Sequence, residues 1–351
     1  WVIVAFVLYL LMMIAIGAFY AKGNNNSEDY FLGGRKLNGF VAALSAQASD
    51  MSGWLLMGLP GAIYLTGVGG DGWIAIGLFI GTTLNWLFIA TKLRRYTIRA
   101  NNSVTLPTYF ENRFHDEKKV LMTVSSITIV VFFLVYCASA LSAGGQLFES
   151  VFGIDYHVAL TIGALVVLVY TFLGGFTAVC VTDFIQGMLM LVGILAVPLF
   201  AYHFLTTGGT TLSAGLEASG ADSANFLNLM KNGDGSNNIV SVISGLGWGL
   251  GYFGMPHILV RFMAVRDEKE MTKSKATAIS WVALSLGFAV FIGILGRAYL
   301  PELVNGNNEK VFIEMIKKVF TVEMRAPFIA GLFLCGILAA IMSTADSQLL
   351  V

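Results

Sequence analysis

One carboxylate stands where a carboxylate is costly. Asp50 lies in the run Ser45-Ala-Gln-Ala-Ser-Asp-Met-Ser-Gly-Trp54, inside the apolar stretch 39–64. A charge at the centre of a bilayer costs about 3 kcal/mol on insertion scales, so it must face a partner or a cavity. Gly53, Gly58, Pro60 and Gly61 follow and weaken the helix beyond it. The apolar halves on either side of Asp50 are each too short to span a membrane alone. A second run has the same character: Ser244-Gly-Leu-Gly-Trp-Gly-Leu-Gly-Tyr-Phe-Gly-Met-Pro256-His257, with five glycines in ten residues. Such a run is either a close helix-packing face or unwound backbone, and taken alone it fits both. Unwound backbone in a membrane exposes carbonyls that can hold a cation, and N–H groups that can hold an anion. No nucleophile–base pair, metal-ligand cluster or HExxH accompanies these runs, which argues against an enzyme. The three cysteines (Cys137, Cys180, Cys335) are scattered, giving neither a disulfide framework nor a metal spacing.

The elements that must position these residues are membrane helices. The chain has 351 residues, 56% of them hydrophobic and 12% charged, with a mean hydropathy of +0.76. Soluble domains carry about twice that charge. Apolar stretches of about 20 residues mark membrane spans, and nine are expected: 1–21, 39–64, 73–92, 119–149, 157–174, 183–206, 238–261, 275–299 and 326–351. The loops 22–38, 92–119 and 261–275 fall on one side and carry 15 of the 21 Lys and Arg, among them Lys22, Arg94 and Arg261. The positive-inside rule makes that side cytoplasmic and puts the N-terminus outside. The opposite loops are poor in basic residues. Residues 308–319, with Val311, Phe312, Met315 and Ile316 on one face, are expected to form a short surface helix. The net charge of zero gives no argument for nucleic acid. No soluble domain interrupts the pattern, so 1–351 reads as a single transmembrane bundle. It opens at Trp1 and ends at Val351 inside apolar runs, and a fragment of a longer protein is expected. The first segment is too long, and too directly followed by further spans, for a cleaved signal peptide.

The two interrupted spans are the second and the seventh, five apart. Paired interrupted segments at corresponding positions of two halves point to an inverted-repeat transporter site. An offset of five also inverts the second half. The expected fold is therefore all-α and polytopic, a five-plus-five inverted-repeat core of the LeuT type. Residues 1–21 form an extra peripheral helix, 39–206 the first repeat, and 238–351 an incomplete second repeat.

At these residues the sequence resembles the sodium/solute symporter family, and most closely its sodium/proline branch. The resemblance is carried by Asp29-Tyr-Phe-Leu-Gly-Gly-Arg35, Ser45 to Pro60, Leu106-Pro-Thr-Tyr-Phe110, Tyr136-Cys-Ala-Ser139, Gly174-Gly-Phe176, Thr182-Asp-Phe-Ile-Gln186, Gly247 to His257 and Ala339-Ala-Ile-Met-Ser-Thr344. It implies secondary active transport in a cell membrane, with sodium as the coupling ion, L-proline as the solute and no other cofactor. It also implies sodium ligands: the backbone oxygens of Ala48, Met51 and Ala340 and the hydroxyls of Ser343 and Thr344. A sodium ion wants several oxygens of little net charge, as hard cations do; hydroxyls on a helix can also simply bond back to the preceding turn. Asp50 is either a near ligand or a carboxylate that holds the break by accepting backbone N–H groups. Asp183 is either a helix N-terminal carboxylate or part of a sodium exit relay or second site with Ser343.

The proline pocket implied by the resemblance is Ser52, Gly53 and Trp54, with Tyr136, Trp248, Tyr252 and Pro256. N–H groups at the break suit a carboxylate, and aromatic faces suit a ring and a cation. Trp248 and Tyr252, four apart, can equally be one packed helix face. Arg35 is either a positive-inside anchor or an inner-gate ion pair with Glu28 or Asp29. His257 is expected to be a structural hydrogen-bonder. Asp346 departs from the family pattern by adding a carboxylate after the hydroxyls, facing the bundle or opening a cytoplasmic cap. The rivals are the same fold with another small amino acid or a carboxylate as solute, a channel, and a membrane sensor or enzyme.

Overall fold

The structure, a computed structural model, describes residues 1–21 and 26–351; Lys22 of the first basic loop lies outside the described residues. Among those residues the fold is helical, without strands beyond the isolated bridges Leu37–Val265 and Lys231–Asn237. In chain order the helices are α1 (Val2–Tyr20), α2 (Ser27–Leu32), α3 (Gly39–Gly53), α4 (Leu59–Thr66), α5 (Val68–Leu84), α6 (Ala90–Arg99), α7 (Leu106–Phe114) and α8 (Val120–Phe152). They continue with α9 (Tyr156–Thr207), α10 (Leu212–Ala218), α11 (Ser223–Phe226), α12 (Ile239–Gly247), α13 (Pro256–Ala264), α14 (Glu268–Tyr299), α15 (Val311–Ile316) and α16 (Pro327–Leu349). Six helices are long and apolar enough to cross a membrane unaided, and the bent pair Ile239–Gly254 and Pro256–Ala264 is a seventh candidate.

Local sequence explains the helix starts. The Asn38 side chain accepts the Phe40 N–H ahead of α3, Asp155 accepts His157 and Val158 ahead of α9, and Thr105 and Thr108 form a reciprocal capping box on α7. Asp267 accepts the Glu270 N–H at 2.9 Å, and that bond leads the causes that hold its carboxyl below the usual range. Pro60, Pro107, Pro256 and Pro327 sit in first turns, where a missing N–H costs nothing.

Both interrupted spans deform, in different ways. α3 breaks at Ser52, whose φ of 48° and ψ of −174° lie in a region L-residues rarely adopt. Such a residue costs of order 1–3 kcal/mol and persists only where its surroundings hold it. Here the Ser52 hydroxyl accepts the Trp54 N–H at 3.1 Å and closes the turn. A π-helical turn, Trp54–Gly58, follows. A Cβ on Gly58 would meet the Trp54 ring at 2.5 Å, so the residue must be glycine for the indole to lie there. In the other span α12 tightens into a 3-10 stretch, Trp248–Gly254, and bends 48° at Met255 before α13. Gly245 and Gly249 pack backbone to backbone against Gly77 and Gly81 of α5, whereas Gly247, Gly251 and Gly254 have open space around them. The glycine-rich run is therefore a packing face and a deformed segment at once.

Other expectations need correction. The fifth and sixth spans are not separated by a loop. They are two helices that meet in α9 across a kink at Gly175, φ 61° and ψ −163°, so the count of spans between the two interrupted ones is unchanged. At 1.5 Å per residue α9 would be about 78 Å long if straight, against a bilayer core of about 30 Å. The third span continues through a π-turn, Asn85–Ile89, to Arg99, so Lys92, Arg94 and Arg95 are helical. The 308–319 segment is no surface helix: Val311, Phe312, Ile313, Met315 and Ile316 are buried. Arg261 is wholly buried on α13 rather than in a loop.

α3 and α9 pack on each other and on both α14 and α16 at the centre, and α1 lays one face on α9 and α16. α8 packs on α9 and α16 with most of its surface exposed.

Candidate functional site

The break in α3 directs successive residues to different neighbours. The carbonyls of Ala48 and Ser49 face α16. The Ser343 hydroxyl donates to Ala48 O at 2.8 Å and lies 3.3 Å from Ala340 O. The Thr344 hydroxyl lies 2.9 Å from Ser49 O and 3.0 Å from Ala340 O. All five residues are buried. Each hydroxyl sits between a carbonyl of its own preceding turn and one of α3, so back-bonding and a shared oxygen cluster coexist. The cluster is neutral and made only of oxygens, the donor set a sodium ion takes. Four of the five ligands implied by the resemblance meet here. The carbonyl of Met51 instead accepts the Trp54 N–H, and Ser49, unassigned from sequence, adds its carbonyl.

One turn on, the side chains face a cavity. Ser52, Gly53, Trp54, Tyr136 and Trp248 line a space of about 420 Å³ that reaches Ser139, Ser142, Gln146 and Glu309. Ser52, Trp54, Tyr136 and Trp248 also line a deeper space of about 270 Å³, with Asp50, Tyr252 and Met255. Trp54 and Trp248 stack between them, centroids 5.5 Å apart and planes 25° apart. Aromatic pairs of this kind add about 0.5–1.5 kcal/mol beyond area burial. Pro256 starts α13 and is buried; Met255 lines the cavity in its place. Asp50 lines this cavity beside Tyr252, and its buried Oδ2 has no hydrogen-bond partner among the described residues. Sequence reading missed Ser139, Ser142 and Gln146. Their spacing from Tyr136, at i+3, i+6 and i+10, was a usable signal for one helix face.

A charged cluster lies beside α9 and α16. Arg261 and Asp183 form an ion pair of 3.1 Å with both side chains fully buried. The guanidinium also donates to Ser45 Oγ at 3.0 Å, to the His257 carbonyl at 2.8 Å and to Ser347 Oγ, and it lies over the Phe176 ring. Ser45 Oγ donates to Asp183 Oδ2 at 2.6 Å. Asp183 lies inside α9, two turns beyond Gly175, so the helix-N-terminal role does not apply. Asp346 faces the bundle, not a cap: it is buried and accepts the Tyr170 hydroxyl at 2.6 Å. One oxygen of each carboxylate has no hydrogen-bond partner among the described residues. Neither nitrogen of His257 has one either; the ring packs against Phe133 and Tyr136 and is not the expected hydrogen-bonder. Arg35 is buried rather than a surface anchor. It donates to Met263 O and Ser103 O, both at 2.8 Å, and to Asn102 Oδ1, with Glu28 at 3.7 Å and no bond to Asp29.

Comparison with known proteins follows the same lines. The family model described as the sodium:solute symporter family matches residues 30–351. The sodium/proline symporter of Salmonella typhimurium is 45% identical over 99% of this chain and 68% of its own length. That of Staphylococcus aureus strain JH9 is 43% identical over 98% of this chain and 65% of its own. A solved structure, the substrate-bound outward-open state of a Na+-coupled sialic acid symporter, superposes with a TM-score of 0.80 at 21% identity, over 99% of this chain and 72% of that one. At that identity the likeness speaks for the helical membrane fold alone. With a family match across nearly all of its length and relatives well above 40% identity, the chain belongs to the sodium:solute symporter family.

Proposed function

We propose that the protein is a sodium-coupled L-proline symporter, a transporter and not an enzyme. The carrying observation is the identity of 43–45% to sodium/proline symporters across 98–99% of the chain. The geometry supports it. Sodium is held by the carbonyls of Ala48, Ser49 and Ala340 and the hydroxyls of Ser343 and Thr344. The hydroxyl protons turn aside when the ion takes the oxygen lone pairs, so no charged group need move. Proline lies in the aromatic cavity between Trp54, Tyr136, Trp248 and Tyr252. Its ring packs on the indoles, and its secondary ammonium meets Asp50, which lines the cavity and has one unpartnered oxygen among the described residues. Sodium and solute communicate through the Ser52 break, because cation carbonyls and solute side chains alternate along the same few residues. Asp50 belongs to the solute side in this reading, and Asp183 is held by Arg261.

The finer architecture is a five-plus-five inverted repeat. It is supported by the offset of five between the interrupted spans and by the stacking of Trp54 on Trp248 across them. The basic loops face the cytoplasm and the N-terminus lies outside. The test is uptake into proteoliposomes. Proline should accumulate only under an inward sodium gradient, and unlabelled proline should compete better than other small amino acids or carboxylates. Equal uptake with choline or under a pure proton gradient would overturn the coupling.

A further inference from the structure

The end of α13 has an unusual set of partners. A helix leaves its last carbonyls without intrahelical bonds, and here those of Met263 and Ala264, which end α13, and of Val265 and Arg266, which follow it, are all taken by residues just before α3 or in α6. Arg35 Nη1 donates to Met263 O at 2.8 Å. The Leu37 N–H donates to Ala264 O at 3.2 Å. Arg94 Nε donates to Val265 O at 2.5 Å, and Arg94 Nη2 donates to Arg266 O. The Arg266 N–H returns a bond to Leu37 O at 3.0 Å, completing the Leu37–Val265 bridge. Alongside, Gly39 N–H donates to Glu270 Oε2 at 2.7 Å and Ser274 Oγ to Gly39 O at 2.9 Å, fixing the start of α3 to α14.

These bonds tie the basic-loop ends of the two interrupted spans directly to each other. The far ends are joined more sparingly, by the Gly233 N–H donating to Thr66 O at 3.0 Å and Asn238 Nδ2 donating to Gly69 O at 2.8 Å, and the larger cavity reaches Glu309 in the opposite loops. We propose that this lacing is the latch that closes the basic-loop side of the transport path, and that Arg94 is the positioning residue that sets its strength. The inference rests on the symporter reading, because a latch matters only if that side must open. Its chemistry suits repeated use. The acceptors are neutral carbonyls that water can satisfy on release, whereas an ion pair would leave two charges. Three of the four carbonyls are taken by arginines, and Arg94 takes two at once, which makes the closed form specific in geometry. Arg94 spans two successive carbonyls with one planar group, which a lysine cannot do. Arg95 next to it makes only an exposed pair with Glu268 and serves as the control.

Cys180 is the reporter. It is buried on α9, beside Arg261 and Ser45, and Arg261 lies two residues before the first latched carbonyl. In protein carrying Cys137→Ser and Cys335→Ser, a small permeant maleimide should label Cys180 at least ten-fold faster after Arg94→Ala than in the parent. Arg94→Lys should give an intermediate rate and Arg95→Ala the parent rate. Parent-like labelling of Arg94→Ala, or equal acceleration by Arg95→Ala, would overturn the assignment. A second variant answers the case in which Arg94→Ala does not fold. With the native cysteines replaced by serine, Leu37→Cys with Val265→Cys should form a disulfide that abolishes uptake, keeps sodium-dependent proline binding, and restores uptake on reduction. Uptake by the oxidised protein at the reduced rate would sink the latch. The labelling contrast needs no solute, so it still reports the latch if the parent fails to transport proline.

Discussion

Two polar clusters sit inside the bundle within one turn of each other on α16, and they are built on opposite principles. Ser343 and Thr344 meet the carbonyls of α3 in a neutral set of oxygens, each hydroxyl already bonded. Asp346 and Ser347 face α9, Tyr170 and Arg261 in a charged set whose carboxylates each keep one unpartnered oxygen. The neutral set can exchange its internal bonds for a cation at little cost. The charged set cannot give up a partner without leaving a buried charge, which typically costs 3–5 kcal/mol. The first is suited to binding and release, the second to holding α3, α9, α13 and α16 in register.

That contrast can be broken in several ways. The largest effect is expected from Asp183→Ala, which strands the Arg261 guanidinium. We expect loss of about 3–5 kcal/mol of stability, seen as a lower melting temperature in detergent and little protein in the membrane. Adding Arg261→Leu should recover much of it in a double-mutant cycle. If the single variant is stable and only sodium dependence changes, Asp183 belongs with the binding set. Next is Ser343→Ala with Thr344→Ala. Two hydroxyl contacts at about 1 kcal/mol each predict a rise in the sodium requirement of roughly 10- to 30-fold, with a much smaller change for proline. Loss of folding instead would put these hydroxyls with the structural set. Trp248→Ala should do the reverse: about 1 kcal/mol of stacking predicts a roughly five-fold weaker proline requirement at constant sodium requirement. The smallest effect is expected from Asp346→Asn. The amide oxygen can still accept from Tyr170, so stability should change by less than about 1 kcal/mol. A large shift in sodium requirement there, measured in the same uptake assay, would move Asp346 out of the structural set.

The sequence carried the pieces whose signals are local. Asp50 in an apolar run, the glycines and proline after it, and the Gly245–Pro256 run pointed to two irregular helices, and both deform. Helix class and membrane residence follow from hydropathy, because every backbone polar group in lipid must be satisfied within the segment. The misses are pairings across the chain. Arg261 ends an apolar run and reads as the first residue of a basic loop, yet its partner lies 78 residues earlier on α9. Asp346 was ambiguous because nothing within its own helix distinguishes a core face from a cap. The site for the break in α3 was also out of reach: the glycines suggested the weak point, but Ser52 takes the strained conformation, held by its own hydroxyl.

The sequence by itself thus determined that the chain is a helical membrane protein with two spans that cannot run straight, since span length, glycine content and an isolated charge act locally. Only the tertiary structure decided which oxygens share a neutral cluster, which carboxylate meets Arg261, and how Arg94 reaches the carbonyls after α13. Those choices depend on partners tens to hundreds of residues away. Buried polar groups are satisfied by whatever the packing brings within about 3 Å of them, and no spacing along the chain records that.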